Sequence, residues 1–444
     1  MSKEALEGRG SALRERVPRS SHAAWSPPAD RADPVALLSA EDEHRVAELV
    51  PLRYQRMLAS PFAFLRGAAV VMAHDLATAP ATGLRVEAAG DAHLANFGLY
   101  GTPERNLIFD LNDFDETLPA PWEWDVKRLA ASAVVAGRTA GRSGLECQEA
   151  ARAAVQSYRE HIRTMAAWTH LEVWYAAVDA TAVASLLGAT EKLGERAIAR
   201  TRAETGAEEL AKLTATPAAG DAPRFVEDPP LVVHETGGPG SVSGMDRLLA
   251  GYAGSLEPER RVLLGRYRLV DAVRKVVGVG SVGTRCAAAL LLGGAGAGDA
   301  LFLQVKEASA SVLEPAAGRS AYGNHGERVV RGQRLCQAAS DLFLGWVRGA
   351  DGRDYSVRQL HDMKRSVDAT ALSGPQLASY ASVCGWVLAR SHARSGDPVA
   401  IAAYLGNSDS FDRALVSFAE AYADQNERDH AALAQAVRSG RIAQ

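Results

Sequence analysis

The residues best suited to chemistry lie in two neighbouring stretches, Gly90-Asp-Ala-His-Leu-Ala-Asn-Phe-Gly98 and Leu107-Ile-Phe-Asp-Leu-Asn-Asp-Phe-Asp115. An apolar run leads into Asp91, Asn96 follows shortly after, and a second apolar run ends in carboxylates. Magnesium prefers hard oxygen ligands, commonly one or two carboxylates with waters and substrate phosphates. Asn96 and Asp113 offer two such oxygens from neighbouring strand ends. Asp91 is then left to accept a proton from a hydroxyl nucleophile. A base beside two metal-binding oxygens is the division of labour that in-line phosphoryl transfer to a hydroxyl requires. His93 reads as an orienting or packing group. Asp110 and Asp115 read as supporting or capping carboxylates around the one that touches metal.

A second stretch can cradle phosphates. Val276-Val-Gly-Val-Gly-Ser-Val-Gly-Thr-Arg-Cys286 precedes an apolar run, a glycine-rich turn at 293–298 and Leu301-Phe-Leu-Gln-Val-Lys-Glu307. Gly278, Gly280 and Gly283 lack side chains, so the backbone around Ser281 can approach phosphate oxygens closely. The chain has seven lysines against 42 arginines, so a lysine inside an apolar strand stands out. Lys306 is the expected ligand of a nucleotide's α- and β-phosphates. Glu314 and Glu327 are both candidates for the carboxylate that holds it.

These groups need elements to carry them. Residues 1 to about 40, rich in Pro, Ser and Arg, read as an extended arm or wrapping segment. Asp42–Met57 has helical spacing, and Ser60-Pro61 starts a helix running to about Ala77. Leu84–Ala88 is a strand that delivers the chain to Asp91. The spacing predicts an amphipathic helix over Trp122–Arg138, with Asp125 a first-turn carboxylate favoured by the helix dipole. Further helices are expected over Leu145–Trp168, Leu171–Leu187 and Glu191–Leu213. Thr216–Gly244, rich in Pro and Gly, reads as an irregular crossover. Short helices over 245–254 and 258–273 precede the glycine loop. After Lys306 come a helix over Glu327–Ala339 and strands over Asp341–Val347 and Asp354–Leu360. Helices over Gln376–Arg394 and Phe411–Arg438 complete the pattern. Trp122, Trp124, Trp168 and Trp174 are assigned to packing.

Composition sets the outer limits. A chain of 444 residues allows two or three domains. A formal charge of -4 gives no support for a nucleic-acid or membrane-surface partner. No apolar run reaches the roughly 18 residues of a membrane span, and the N-terminus lacks a signal peptide's apolar core. The four cysteines show neither CxxC nor zinc spacing, which suggests reduced thiols and a cytoplasmic setting. Oligomeric state is not legible.

In a protein kinase the glycine loop and lysine precede the catalytic and metal-binding residues; here the order is reversed. Circular permutation keeps folded geometry while changing chain order. The expected fold is therefore α+β, a two-lobed protein-kinase-like fold, circularly permuted, with helical additions. Residues 1–83 would form the arm and first helices, and 84–244 the large-lobe catalytic loop, metal hairpin and helices. Residues 245–360 would form the small nucleotide-binding lobe, and 361–444 the helices that complete the large lobe. GDAHLANFG, FDLNDFDETLPAPWEWDVKRLAAS, RKVVGVGSVGTRC, LFLQVKEA and ARSHARSGD resemble the bacterial family DUF2252 over nearly the whole chain. The first two blocks also resemble the catalytic loop and metal hairpin of aminoglycoside and choline phosphotransferases. That shorter resemblance implies Asp91 as base, Asn96 and Asp113 as magnesium ligands and Lys306 as a phosphate ligand. It also likens Asp125 to an Asp that anchors the catalytic loop from below. Phe114-Asp115 stands where protein kinases have Phe-Gly, which favours a small-molecule kinase. The expectation is an enzyme using ATP and Mg2+ to phosphorylate a small-molecule hydroxyl acceptor.

Three rivals remain. A kinase-like protein could transfer a nucleotidyl group or have lost activity. Gly278-Val-Gly-Ser-Val-Gly283 with Glu307 after a strand also fits a dinucleotide-binding Rossmann unit, provided a helix follows the glycines. Gly90-Asp-Ala-His93 with Gly323-Asn-His325 fits the ends of a two-metal phosphoesterase signature.

Overall fold

The computed structural model describes residues 2–186, 206–216, 222–360 and 365–442. The stretch around Asp91 is built on short strands. β1 (Arg85–Ala88) leads into the Asp91 turn, and β2 (Phe97–Gly101) and β3 (Leu107–Leu111) form the following hairpin. β4 (Leu118–Pro121) returns to pair antiparallel with β1, and β5 (Val178–Asp179) adds to the edge of β3. β6 (Thr214–Ala215) and β7 (Arg224–Phe225) make a small hairpin.

A six-stranded antiparallel sheet contains β8 (Val232–Val233), β9 (Arg268–Lys275), β10 (Cys286–Gly293), β11 (Gly296–Ala308), β12 (Gly345–Arg348) and β13 (Asp354–Gln359). Its order is β12-β13-β11-β10-β9-β8. β10 is apolar on both faces because both are covered. Ala287, Ala289 and Leu291 pack with Met245 and Tyr252, while Ala288 and Leu290 face Phe225 and Phe302. The period of two decides which residue meets which layer. β14 (Arg365–Ser366) leaves this sheet's neighbourhood to pair with β2.

The largest core is mostly helical. Trp122–Thr139, Gly144–Met165, Gly374–Ser395 and Ser410–Arg438 surround it. Small residues let two of these helices approach closely: a Cβ on Gly385 would lie 2.1 Å from the Ala154 carbonyl oxygen. Trp122 stacks on Tyr158 at 5.6 Å, and both are fully buried. Among the described residues no helix is long and apolar enough to cross a membrane. All four cysteines are free and buried.

Several elements differ from the sequence expectation. The first 40 residues are no extended arm, because Lys3–Arg16 and Pro34–Asp42 are helices. Gly10 lets the former lie against the Pro398–Leu405 helix, where a Cβ would meet the Ala400 carbonyl. The helix expected from Asp42 begins only at Val50, with Pro51 in its first turn, where a missing N–H costs nothing. The helix after Ser60 breaks at Ala68 into Pro61–Gly67 and Ala69–Leu76. Leu171–Leu187 is interrupted by β5, between helices His170–Tyr175 and Ala180–Leu186. Most of Glu191–Leu213 lies outside the described residues, and its end, Gly206–Leu213, is helical. The helix expected over 258–273 stops at Leu264, and β9 follows because its apolar face is claimed by the sheet. The strand expected from Asp341 starts at Gly345. Trp122 and Trp124 are core, but Trp168 and Trp174 are exposed, the latter under the Arg394 guanidinium at 3.9 Å.

Lys127 is buried in the Trp122–Thr139 helix, with no hydrogen-bond partner among the described residues and its ammonium 4.9 Å above the Phe418 ring. Burial pushes it down to about 8. A lysine lowered on folding is charged at a penalty below pH 8, and the penalty fades as pH rises towards the unfolded value. Lys127→Met is therefore expected to stabilise the fold at pH 7 by about 1–3 kcal/mol and by much less near pH 10. Urea denaturation at the two pH values measures this.

Candidate active site

Asp91 and Asn96 lie in the turn between β1 and β2. Gly90 has φ +77°, and a Cβ there would lie 2.5 Å from the Glu116 carbonyl oxygen, so the turn needs glycine. Beneath it, Asp125 accepts the N–H groups of Ala89 at 2.7 Å and Gly90 at 2.9 Å. His392 Nε2 lies 3.2 Å from the same carboxylate, and the Tyr158 hydroxyl lies 2.9 Å from His392 Nδ1. Asp125 thus anchors the loop, a role that a first-turn position alone does not confer.

Asp91 is not the free carboxylate that its sequence context suggests. Arg128, also on the Trp122–Thr139 helix, donates Nε to Asp91 Oδ1 at 2.5 Å and brings Nη2 to the same oxygen. Arg128 Nη2 also donates to the Leu65 carbonyl at 2.9 Å. The buried guanidinium fixes the carboxylate's orientation, and Asp91 Oδ2 lies 3.5 Å from His93 Nε2. Burial, reinforced by Arg128 and Arg66, holds the His93 imidazole down to about 4. His93 is therefore neutral at pH 7 and packs edge-on against Phe62.

Asn96 Nδ2 donates to the Asp91 carbonyl at 2.7 Å, which leaves its Oδ1 for another partner. Asp113 follows β3 and shares a cavity with Asn96. Asp110 is structural: Arg390 Nη2 donates to it at 2.6 Å and the Ala338 N–H at 2.8 Å, and Asp110 and Arg390 are fully buried. Among the described residues no group of three His, Cys, Asp or Glu side chains could hold a metal. One amide oxygen and one carboxylate do suit magnesium, which keeps waters and shares substrate phosphates.

Lys306 projects from β11 onto Asp115 and lies 3.7 Å from Asp113 Oδ1. Burial alone would lower its ammonium, but Asp113 and Asp115 override this and raise it. Neither expected glutamate holds it. Glu314 Oε1 lies 4.0 Å from His325, and Glu327 pairs with Arg331 at 3.4 Å. From the His325–Cys336 helix, Arg328 instead donates to the carbonyls of Thr117, Asp115 and Ser309 at 2.6, 2.8 and 2.7 Å.

Residues 276–285 turn from β9 into β10, and the first helices clamp this loop. Arg45 donates to the carbonyls of Gly280 and Val282 at 3.0 and 2.6 Å, and Arg56 to that of Val277 at 3.0 Å. The Val46 N–H donates to the Gly283 carbonyl at 2.8 Å. Gly283 takes φ +90°. A Cβ on Gly278 would meet nothing within 4 Å, and one on Gly280 would come 3.1 Å from the Arg66 carbonyl. With the carbonyls of Val277, Gly280, Val282 and Gly283 engaged, the N–H groups of Gly278 to Ser281 have no partner among the described residues. Such a run of amides suits phosphate oxygens.

Asn96, Asp113, Gly278 and Ser281 border two cavities. One of about 400 Å³ reaches back to Gln304, Lys306, Arg358 and Leu360. The other, about 90 Å³, contains Asp91, His93, Arg66 and Asp115. The two cavities thus bring together Asp91, Asn96, Asp113, Gly278, Gly280, Ser281 and Lys306, while Gly283, Asp110, Glu314 and Glu327 border neither. Sequence reasoning missed Arg45, Arg56, Arg66 and Arg128, because nothing local distinguishes them among 42 arginines.

Two rivals lose their structural basis. The segment after the glycines is β10, antiparallel to both neighbours, so the helix of a dinucleotide fingerprint is absent. Asn324 caps the helix at His325–Cys336 by accepting the Glu327 N–H at 2.9 Å, which accounts for Gly323-Asn-His325 without metal.

No curated protein and no solved structure matches the chain. The family described as "Uncharacterized protein conserved in bacteria (DUF2252)" matches residues 45–436, nearly the whole length, and the chain belongs to that family.

Proposed function

We propose that the protein is an ATP-dependent phosphotransferase with a circularly permuted kinase-like fold, acting on a small-molecule hydroxyl. The observation that carries this is the pair of cavities that share Asn96, Asp113, Gly278 and Ser281 of the glycine loop, one reaching Lys306, the other Asp91. A nucleotide's phosphates would lie beneath the loop amides and against Lys306, with the acceptor on the Asp91 side. Asn96 and Asp113 would hold magnesium, which neutralises phosphate charge when bound. Asp91, fixed by Arg128, orients the acceptor hydroxyl and takes its proton. The permuted path is supported by the Gly374–Ser395 helix, whose last residue, Ser395, accepts the Glu87 N–H of β1 at 3.1 Å. The chain leaves there, and β1 is entered from the N-terminal helices. The small lobe would begin earlier than residue 245, since β8 already belongs to the six-stranded sheet.

Calorimetric titration of ATP with and without magnesium tests the reading. Magnesium-dependent binding is expected in the wild type. Lys306→Ala should weaken it about 10- to 100-fold, the worth of a charge-assisted contact of about 1.5–3 kcal/mol. Absence of ATP binding under both conditions sinks the proposal.

One observation favours nucleotidyl transfer as a second reading. Gln304 shares a face of β11 with Lys306, and its Oε1 accepts Arg358 Nε at 2.8 Å. The deep end of the larger cavity is therefore polar and cationic, where a purine base prefers apolar walls. A nucleotide turned end for end would place phosphates at Arg358 and present its α-phosphate to the acceptor. The products separate the two: ADP from phosphoryl transfer, pyrophosphate from nucleotidyl transfer.

A further inference from the structure

The smaller cavity contains a cation that the mechanism above does not use. Arg66, at the C-terminal end of the Pro61–Gly67 helix, lines it together with Asp91, Asn96 and Asp113. No carboxylate lies within 4 Å of its guanidinium among the described residues, and its buried Nε has no hydrogen-bond partner. Every other charged side chain bordering this cavity is engaged. Arg45 is spent on the glycine-loop carbonyls, Asp91 on Arg128, Asp115 on Lys306, and Glu41 on Arg53. Asp113 lies 3.7 Å from Lys306. Glu116 accepts the Val312 N–H at 2.7 Å, and burial pushes its carboxyl up to about 7. Asp368, which also acts on Arg66 through space, accepts the N–H and hydroxyl of Thr370. His93, which also lines the cavity, is neutral at pH 7.

A partly buried guanidinium without a counter-ion is costly unless an anion joins it. Its fork of donors matches phosphate and carboxylate oxygens. The cavity's 90 Å³ is several times the roughly 10–15 Å³ that one water needs.

We propose that Arg66 forms an oxyanion subsite beside Asp91, a reading that rests on the phosphotransferase assignment. The oxyanion has two possible sources: the terminal phosphoryl group of the nucleotide, or an anionic substituent carried by the acceptor. In the first case Arg66 stabilises charge on the group in flight, as a cation beside a transferring phosphoryl does. In the second it selects acceptors bearing phosphate or carboxylate.

Calorimetry on the full chain separates these, using wild type, Arg66→Gln and Arg66→Lys, each checked for folding by thermal melting. The probes are Mg-ADP, the magnesium complex of the β,γ-imido analogue of ATP, and inorganic phosphate added to protein already loaded with that analogue. Arg66→Gln is expected to leave Mg-ADP binding unchanged. A loss of about tenfold or more for the analogue, partly restored in Arg66→Lys, assigns the subsite to the transferred group. An unchanged analogue with loss of phosphate binding to the loaded protein assigns it to the acceptor. Unchanged binding of all three probes overturns the proposal. So does equal loss for Mg-ADP and the analogue, since Arg66 would then only support the loop that its carbonyl approaches at Gly280. If the wild type binds neither nucleotide but binds inorganic phosphate through Arg66, the subsite stands and the phosphotransferase reading fails.

Discussion

Asp91→Asn is expected to lower turnover about 10²- to 10⁴-fold while leaving Mg-ATP affinity essentially that of the wild type. The asparagine keeps the shape of the side chain and one oxygen for Arg128, so the loop should hold its place. What it loses is the carboxylate proposed to take the hydroxyl proton. Release of ADP, with hydroxyl acceptors screened against the wild type first, measures turnover, and calorimetry measures binding. Wild-type turnover in the variant would remove Asp91 from the chemistry. A parallel loss of Mg-ATP binding would instead mean that the Asp91–Arg128 pair shapes the nucleotide side of the cleft.

The second large effect concerns the support beneath that loop. Asp125→Ala is expected to destabilise the fold by about 3–5 kcal/mol. The side chain is 1% exposed, and its removal strands the N–H groups of buried Ala89 and half-buried Gly90, together with buried His392. Each buried group left unsatisfied costs about 1–3 kcal/mol. Urea denaturation reads the loss. A change below about 1 kcal/mol would show that the loop finds other partners and that Asp125 is only a favourable first-turn charge.

The two effects are linked through one helix. Trp122–Thr139 carries both Asp125, which fixes the backbone before Asp91, and Arg128, which fixes the Asp91 carboxylate. Positions three apart on a helix lie on adjoining parts of one face. A single rigid element therefore sets the loop's height and the carboxylate's orientation together. This is the preorganisation that positioning-based phosphoryl transfer depends on.

By itself the sequence determined what is local. Gly90 with its positive φ, the interval from Asp91 to Asn96, and the β2–β3 hairpin ending at Asp113 are set by turn and strand geometry over a few residues. The period of two along β11 likewise places Lys306 and Gln304 on one face, and the glycines at 278, 280 and 283 mark the loop. The start of the Val50–Leu58 helix and the break at Ala68 were less legible, because tertiary contacts outweigh weak helix propensities there. Only the tertiary structure decided which charges meet. Lys306 reaches Asp115 and not Glu314 or Glu327, Asp91 is held by Arg128, and among the described residues Arg66 has no carboxylate within 4 Å. The physical reason is that ion-pair partners are chosen by packing across long intervals of chain. Among 42 arginines and 53 acidic residues, a side chain bound for the cleft has the same local pattern as one bound for solvent.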